Sequence, residues 1–476
     1  MNKYKKLAMN TMIFAIGSFG SKILVLLLTR LYTSNISPAD SSTKELLEIT
    51  ANFLIPVFTF SMTDSIIRFG LDRQYNKRQV FTSACCICGG GLILMFIISP
   101  LMKLVPFLNY IDGYTILLLV YICTSSFRSM CSQFVRARGL VKLFSFDGIL
   151  TTLTLFIFNI IFISKLNMGV KGFLISVILS DFCSSIFLFV VAHLSDYLNI
   201  RYFSAPLAKS MLSFSVPLIP TAVMWIVTGF SDRLFIRYMN SDKAVLGETA
   251  AGIYGYATKI PNLISMVSTI FFQAWNMSAI TENDSDDRSY FYEKVYSSYQ
   301  SIMFMAAAFL ISAVQLVTPI FISTGNFSEY SAVYLYTPVL VVAVLFMCFN
   351  QFLSSIYTAT KHTKNSFWTS MIACVVNIVL NIVLIPNFGI QGASFATLIS
   401  YFICYVIRIF DARRYVPFRV NYSSFFVNTF VLIGLCYAVI NKPMYYPIYL
   451  VCGFLFVVVC NYKAVLSMLG KLVKKR

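Results

Sequence analysis

The residues of this chain that could do chemistry are the charges standing inside apolar sequence. Lys22, Arg233 and Lys259 each lie within a run of apolar residues. At 1.5 Å of rise per residue, each falls about 9–15 Å from the outer end of its run if the run is a membrane-crossing helix. A charge at the centre of a bilayer costs about 2.5–3.5 kcal/mol on insertion scales, so such residues mark function by default. Three cations at one depth predict a shared polar cavity that takes an anion. Arginine stays charged and can grip a phosphate with two parallel hydrogen bonds, and lysine adds a point charge. The alternative is separate ion pairs, with Asp232 as one partner.

The remaining embedded charges have plainer readings beside the functional one. Arg30, Arg128 and Arg237 lie near the ends of their runs, where a long side chain reaches the interface. Asp64 and Arg68 are four residues apart, so Arg68 is either a further anion contact or half of an intrahelical pair. Acidic residues in the runs are few: Asp64, Asp181, Asp232 and, at a helix start, Asp147. Asp64, Asp181 and Asp232 are the candidates for carrying a coupling ion. For Asp181 the competing role is a buried hydrogen-bond partner of Ser184 or Ser185. Pro217, Pro220 and Pro261 remove backbone hydrogen bonds from two of the helices and are candidate hinges, or else static kinks. Asn377 and Asn381, four apart, suit interhelical hydrogen bonding.

The elements that carry these residues follow from composition. Of 476 residues, 58% are apolar and 12% charged, and the mean hydropathy is +0.76. Soluble domains hold about 25% charged residues. The balance excludes a soluble enzyme, a disordered chain and a nucleic-acid-binding domain, and predicts an all-α integral membrane protein. A crossing needs about 20 apolar residues. Some fourteen such runs, counted from the sequence, leave no room for a soluble domain between them. Of the 37 lysines and arginines, 25 fall in alternate segments assigned to the cytoplasm, 6 in outer loops and 6 within spans. That bias predicts cytoplasmic termini in the cell membrane and accounts for the net charge of +18 without nucleic acid. The first run follows Lys3, Lys5 and Lys6 with no cleavage site after it, which predicts a retained helix.

The chain also repeats. Ala137 to Asn159, followed by Gly169-Val-Lys-Gly172, matches Ala359 to Asn381, followed by Gly389-Ile-Gln-Gly392. The shift is 222 residues, becoming 220 after a two-residue deletion. Six spans separate the copies, so both point the same way. Parallel repeats predict two six-helix lobes about an axis along the membrane normal. The expected domains are an N-lobe over 1–208, a C-lobe over 209–416, and two further helices with a basic tail over 417–476.

Chemistry that the chain does not advertise narrows the function. GxSxG, HExxH and P-loop patterns are missing, and the outer loops are short. The two histidines, His193 and His362, give a metal or acid–base centre little to work with. Cys85, Cys86 and Cys88 lie in one apolar run and read as small core filler. No metal or cofactor is expected. The pattern predicts a transporter rather than an enzyme.

Several strings resemble a known group: Asn381–Tyr401 (NIVLIPNFGIQGASFATLISY), Val135–Ile149, Gly252–Leu263 and Gln273–Ile280. They resemble the Wzx-type polysaccharide flippases of the multidrug/oligosaccharidyl-lipid/polysaccharide exporter superfamily, in order over nearly the whole chain. The resemblance implies two six-helix bundles plus two helices around a central cavity. It implies alternating access that carries an undecaprenyl-pyrophosphate-linked oligosaccharide from the inner to the outer leaflet. Lys22, Arg68, Arg233 and Lys259 match the helices on which such flippases hold the pyrophosphate or acidic sugars. Membrane lipids, a polysaccharide polymerase and glycosyltransferases of the same pathway are the implied partners. An ion-coupled drug or small-solute antiporter of the same fold is the alternative, and peptidoglycan or teichoic-acid precursors are alternative cargo. A major-facilitator carrier is disfavoured, because Gly70-Leu-Asp72-Arg73-Gln has the wrong spacing for its loop motif.

Overall fold

The computed structural model describes residues 24–473, apart from 26, 73, 282–287 and 361. Lys22 lies outside the described residues. Every regular element among those described is helical. In chain order they are α1 (27–35), α2 (Pro38–Phe58), α3 (Met62–Leu71), α4 (Lys77–Ile98), α5 (Thr115–Ala137), α6 (Val141–Asn159), α7 (Gly169–Val191), α8 (Ala205–Ser215) and α9 (Ile219–Tyr238). There follow α10 (Glu248–Ala257), α11 (Asn262–Thr281), α12 (Arg288–Ser312), α13 (Val314–Phe321), α14 (Val333–Ala359), α15 (Thr363–Ala412), α16 (Tyr422–Asn441) and α17 (Tyr446–Val473). The protein is an all-helical integral membrane fold. Among the described residues nine helices are long and apolar enough to cross a membrane, or ten if the bent pair α2–α3 is one crossing. One of these is the fifty-residue α15, which Gly389 interrupts with φ +58° and ψ −134°.

The chain forms two compact units that part within α9, between Leu234 and Phe235. In the first, Met62, Phe81, Cys88, Cys131, Phe134 and Met211 build one core. Phe81 stacks on Phe134 at 4.5 Å between ring centroids. Cys88 is filler here, as its apolar setting predicted, and Cys131 packs in the same core. In the second unit, Tyr299 stacks on Phe352 and Tyr405 on Phe425, with the Tyr296 and Tyr405 hydroxyls bonded to each other at 2.9 Å.

Local chemistry explains the breaks. Ser37 caps α2 by accepting from the Asp40 amide, and Pro38 occupies the first turn, where its missing N–H costs nothing. Pro56 weakens the other end. Phe60 and Ser61 then turn left-handed, and α3 resumes at a 53° bend. Pro217 lies in a short 3-10 turn between α8 and α9, Pro220 is in the first turn of α9, and Pro261 ends the turn before α11. Each proposed hinge thus sits where a helix actually breaks.

The repeat is visible in backbone detail. Gly169 and Gly389 both take φ near +55°, at +53° and +58°. A Cβ on Gly172 would come 2.9 Å from the Phe162 carbonyl oxygen, and one on Gly392 would come 2.3 Å from that of Leu384. Phe162 and Leu384 are related by the 222-residue shift, and Gly172 and Gly392 by the 220-residue shift. The equivalent asparagines, Asn159 and Asn381, are both fully buried. Gly392→Ala should therefore cost about 1–3 kcal/mol through overpacking against a backbone that has no slack. Gly434→Ala, with open space around its Cβ position, should leave stability unchanged. Thermal unfolding in detergent, followed side by side for the two variants, checks the contrast.

Candidate functional site

Two buried charge clusters stand out, and both belong to the first unit. One joins α5, α6 and α7. Arg128 Nε lies 2.9 Å from Asp181 Oδ1, and Arg128 Nη1 lies 3.5 Å from Asp147 Oδ2 and 3.2 Å from Thr151 Oγ1. Ser125 donates to Asp181, and Ser184 donates to Asp147. Asp147 is fully buried and Asp181 nearly so. One guanidinium faces two carboxylates, so the cluster is one positive charge short of neutral. In a low-dielectric site such an imbalance is expensive, and a proton or a cation relieves it.

This corrects two expectations. Arg128 does not reach for the interface, because two carboxylates within hydrogen-bonding reach outweigh the solvation it would gain there. Asp181 is bonded to Arg128 and Ser125. Ser184 instead serves Asp147, and Ser185 bonds the Asp181 backbone carbonyl.

The second cluster joins α2 to α9. Arg233 Nη2 lies 3.3 Å from Glu45 Oε2, and Arg233 Nη1 donates to the Gly229 carbonyl at 2.6 Å. Lys44 Nζ lies 3.8 Å from Glu45 and 3.3 Å from Glu48, and sits 4.5 Å from the ring centroids of both Tyr32 and Phe173. Lys44 and Glu45 are buried. Sequence reasoning missed all three α2 residues because it centred the span near Val57. The signal was available in the Ser37-Pro38 helix start, which puts Lys44 and Glu48, four apart, on one face of the helix, roughly two and three turns in.

The other candidates divide. The ion-pair partner of Arg68 is Asp72 at 3.9 Å, not Asp64. Asp64 and Arg68 are both exposed along one face of α3. Asp232 is buried on α9 beside Arg233. Lys259 stands in the second unit, in the turn between α10 and α11, where its amide bonds the Tyr256 carbonyl at 3.0 Å. Arg30 is exposed on α1. Arg237 pairs with Glu248 at 2.6 Å. Asn381 donates to Asn377 at 3.2 Å, and Asn377 reaches Thr397 on the far half of α15 at 3.5 Å, the cross-helix bonding that their spacing predicted.

Among solved structures, the lipid II flippase MurJ in an inward closed conformation matches with a TM-score of 0.68, at 17% identity over 96% of this chain and 98% of that one. An inward-facing multidrug resistance MATE family transporter of the MOP superfamily matches with a TM-score of 0.64, at 14% identity over 87% and 99%. The chain has the fold of the MOP-superfamily transporters. No family profile matches it. An uncharacterized membrane protein of Methanocaldococcus jannaschii is 25% identical over 54% of the chain, and a second from that organism is 24% identical over 55%. The chain spans 61% and 52% of the length of these two relatives. The two clusters differ in kind: a partly buried arginine on a helix with proline breaks at its base, and a guanidinium that faces two buried carboxylates.

Proposed function

We propose that this protein is a flippase that carries a lipid-linked oligosaccharide, with an undecaprenyl-pyrophosphate anchor, from the inner to the outer leaflet by alternating access. The observation that carries the reading is Arg233, a partly buried arginine on α9 whose carboxylate partner, the buried Glu45, comes from α2. A pyrophosphate is compact and multiply anionic, and desolvating it needs opposing charge. Exchange of Glu45 for pyrophosphate on Arg233 gives the cargo a differential interaction with two conformations, which is what coupling requires. Pro217 and Pro220 let α9 bend at its base, and Pro261 does the same between α10 and α11. Lys22, Arg68 and Lys259 are the further contacts of this reading, in a cavity between lobes 1–208 and 209–416. In it the chain crosses the membrane fourteen times, has both termini in the cytoplasm, and works beside a polysaccharide polymerase and glycosyltransferases.

An ion-coupled drug or small-solute antiporter of the same fold is the second reading. The Arg128–Asp147–Asp181 cluster favours ion coupling under either. Within the flippase it supplies the drive, with Asp64 and Asp232 as further candidates.

The test is translocation of the lipid-linked oligosaccharide in cells with expression controlled. Combined Lys22→Ala, Arg233→Ala and Lys259→Ala should abolish it, whereas Arg30→Ala should leave it within about twofold, as is usual for an exposed interfacial charge. Normal transport by the triple variant would move the antiporter ahead.

A further inference from the structure

At the end that carries Lys364, Arg413 and Arg414 the two halves of α15 are bonded side by side, Asn365 to Asp411 at 2.7 Å, and a groove of about 510 Å³ between them is open at the molecular surface. Its walls are two facing stripes at helical spacing, Trp368 and Ile372 on one half, Ile407 and Phe410 on the other. Trp368 and Phe410 are more than half exposed. Arg414 stands at one end with 78% of its side chain exposed. Lys364, exposed, lies one turn before Trp368. The groove is therefore amphipathic along its length, with cations at one end and apolar walls beyond.

Two details set its electrostatics. The floor includes Thr369, whose hydroxyl accepts from Nε of Arg408 at 2.9 Å. Arg408 is 1% exposed, and its other hydrogen bonds go to the Asn350 and Ser366 carbonyls and to the Ser366 and Ser370 hydroxyls, all neutral. A full positive charge thus lies behind the floor. The one acidic group in the groove, Asp411, is already engaged by Tyr357, Asn365 and, at 3.6 Å, Arg414. The groove is left with a net positive potential.

We propose that this groove is a binding site for an anionic phospholipid. The headgroup phosphate rests against Arg414 and Lys364, and one acyl chain lies between Trp368–Ile372 and Ile407–Phe410. Charge complementarity selects an anionic over a zwitterionic headgroup, since basic surfaces at the membrane edge gain about 1 kcal/mol per cation from anionic lipid. The basic end is the one that the lysine and arginine bias assigns to the cytoplasm, where a free phospholipid of the inner leaflet reaches it laterally. The proposal needs a membrane protein but not a flippase.

Trp368 is the built-in probe. The full chain carrying Trp225→Phe and Trp275→Phe would be reconstituted in vesicles containing either brominated phosphatidylglycerol or brominated phosphatidylcholine. The expected result is at least threefold stronger quenching of Trp368 by the anionic lipid at equal mole fraction, with the difference abolished by Arg414→Gln combined with Lys364→Gln. Both substituted residues are exposed, so the variant folds. Equal quenching by the two lipids overturns the proposal. So does a preference that survives the double substitution, because it would belong to the basic surface at large. Neither outcome depends on whether oligosaccharide is transported.

Discussion

Arg233→Ala should reduce oligosaccharide translocation roughly 10- to 100-fold, because each hydrogen bond to a charged partner contributes about 1.5–3 kcal/mol. It should also weaken the protein. Glu45 is buried but keeps Lys44 at 3.8 Å, so the loss of Arg233 should cost less than the about 3–5 kcal/mol of a buried charge left with no partner. Loss of transport alone is therefore ambiguous. The exchange Glu45→Arg with Arg233→Glu separates the two effects. It restores an ion pair between α2 and α9, so protein level and unfolding temperature should recover. Transport should not recover, because α9 then offers a carboxylate to the pyrophosphate. If the exchanged protein transports as well as the parent, the pair is only structural and Arg233 does not hold the cargo.

Asp181→Asn should have the opposite profile, with protein level kept and coupling lost. The substitution leaves Arg128 with one carboxylate, Asp147, which balances the cluster. Stability should hold or rise slightly, since a buried imbalance of charge is removed. If the surplus carboxylate carries the coupling ion, transport driven by an imposed proton or sodium gradient should fall at least tenfold, to the rate without a gradient. Arg128→Ala is the complement. It leaves two buried carboxylates facing each other at the junction of α5, α6 and α7, and should cost about 3–5 kcal/mol. Thermal unfolding and gradient-driven uptake in proteoliposomes read both variants. Undiminished gradient dependence in Asp181→Asn would remove the cluster from the coupling mechanism.

The long elements and their repeat were legible because they are written in one-dimensional signals. Apolar runs of spanning length predicted helices and no strands, and every regular element described is helical. The glycine pairs Gly169/Gly172 and Gly389/Gly392 were found by string matching. Their geometry repays it, since each pair opens a helix with a positive φ and then admits a carbonyl where no side chain fits. Prolines 217, 220 and 261 marked real breaks, because a missing N–H acts locally. The break after Pro56 was overlooked. It depends on Phe60 and Ser61 adopting left-handed backbone, which neither residue type announces.

The amino-acid sequence by itself determined the membrane environment, the helical class, the repeat, the helix breaks at Pro217, Pro220 and Pro261, and the scarcity of buried charge. These follow from composition and from interactions within a turn or two of chain. Only the tertiary structure decided which charges meet. Arg128 chose Asp147 and Asp181 from two other helices, and Arg233 chose Glu45, 188 residues away. At the exposed end of α3, where water screens both, Arg68 stands nearer Asp72 than the equally spaced Asp64. Spacing along one helix states only who can be a neighbour. In a medium with no water to satisfy them, buried charges pair with whichever partner packing brings within about 4 Å, and packing is a property of the folded chain.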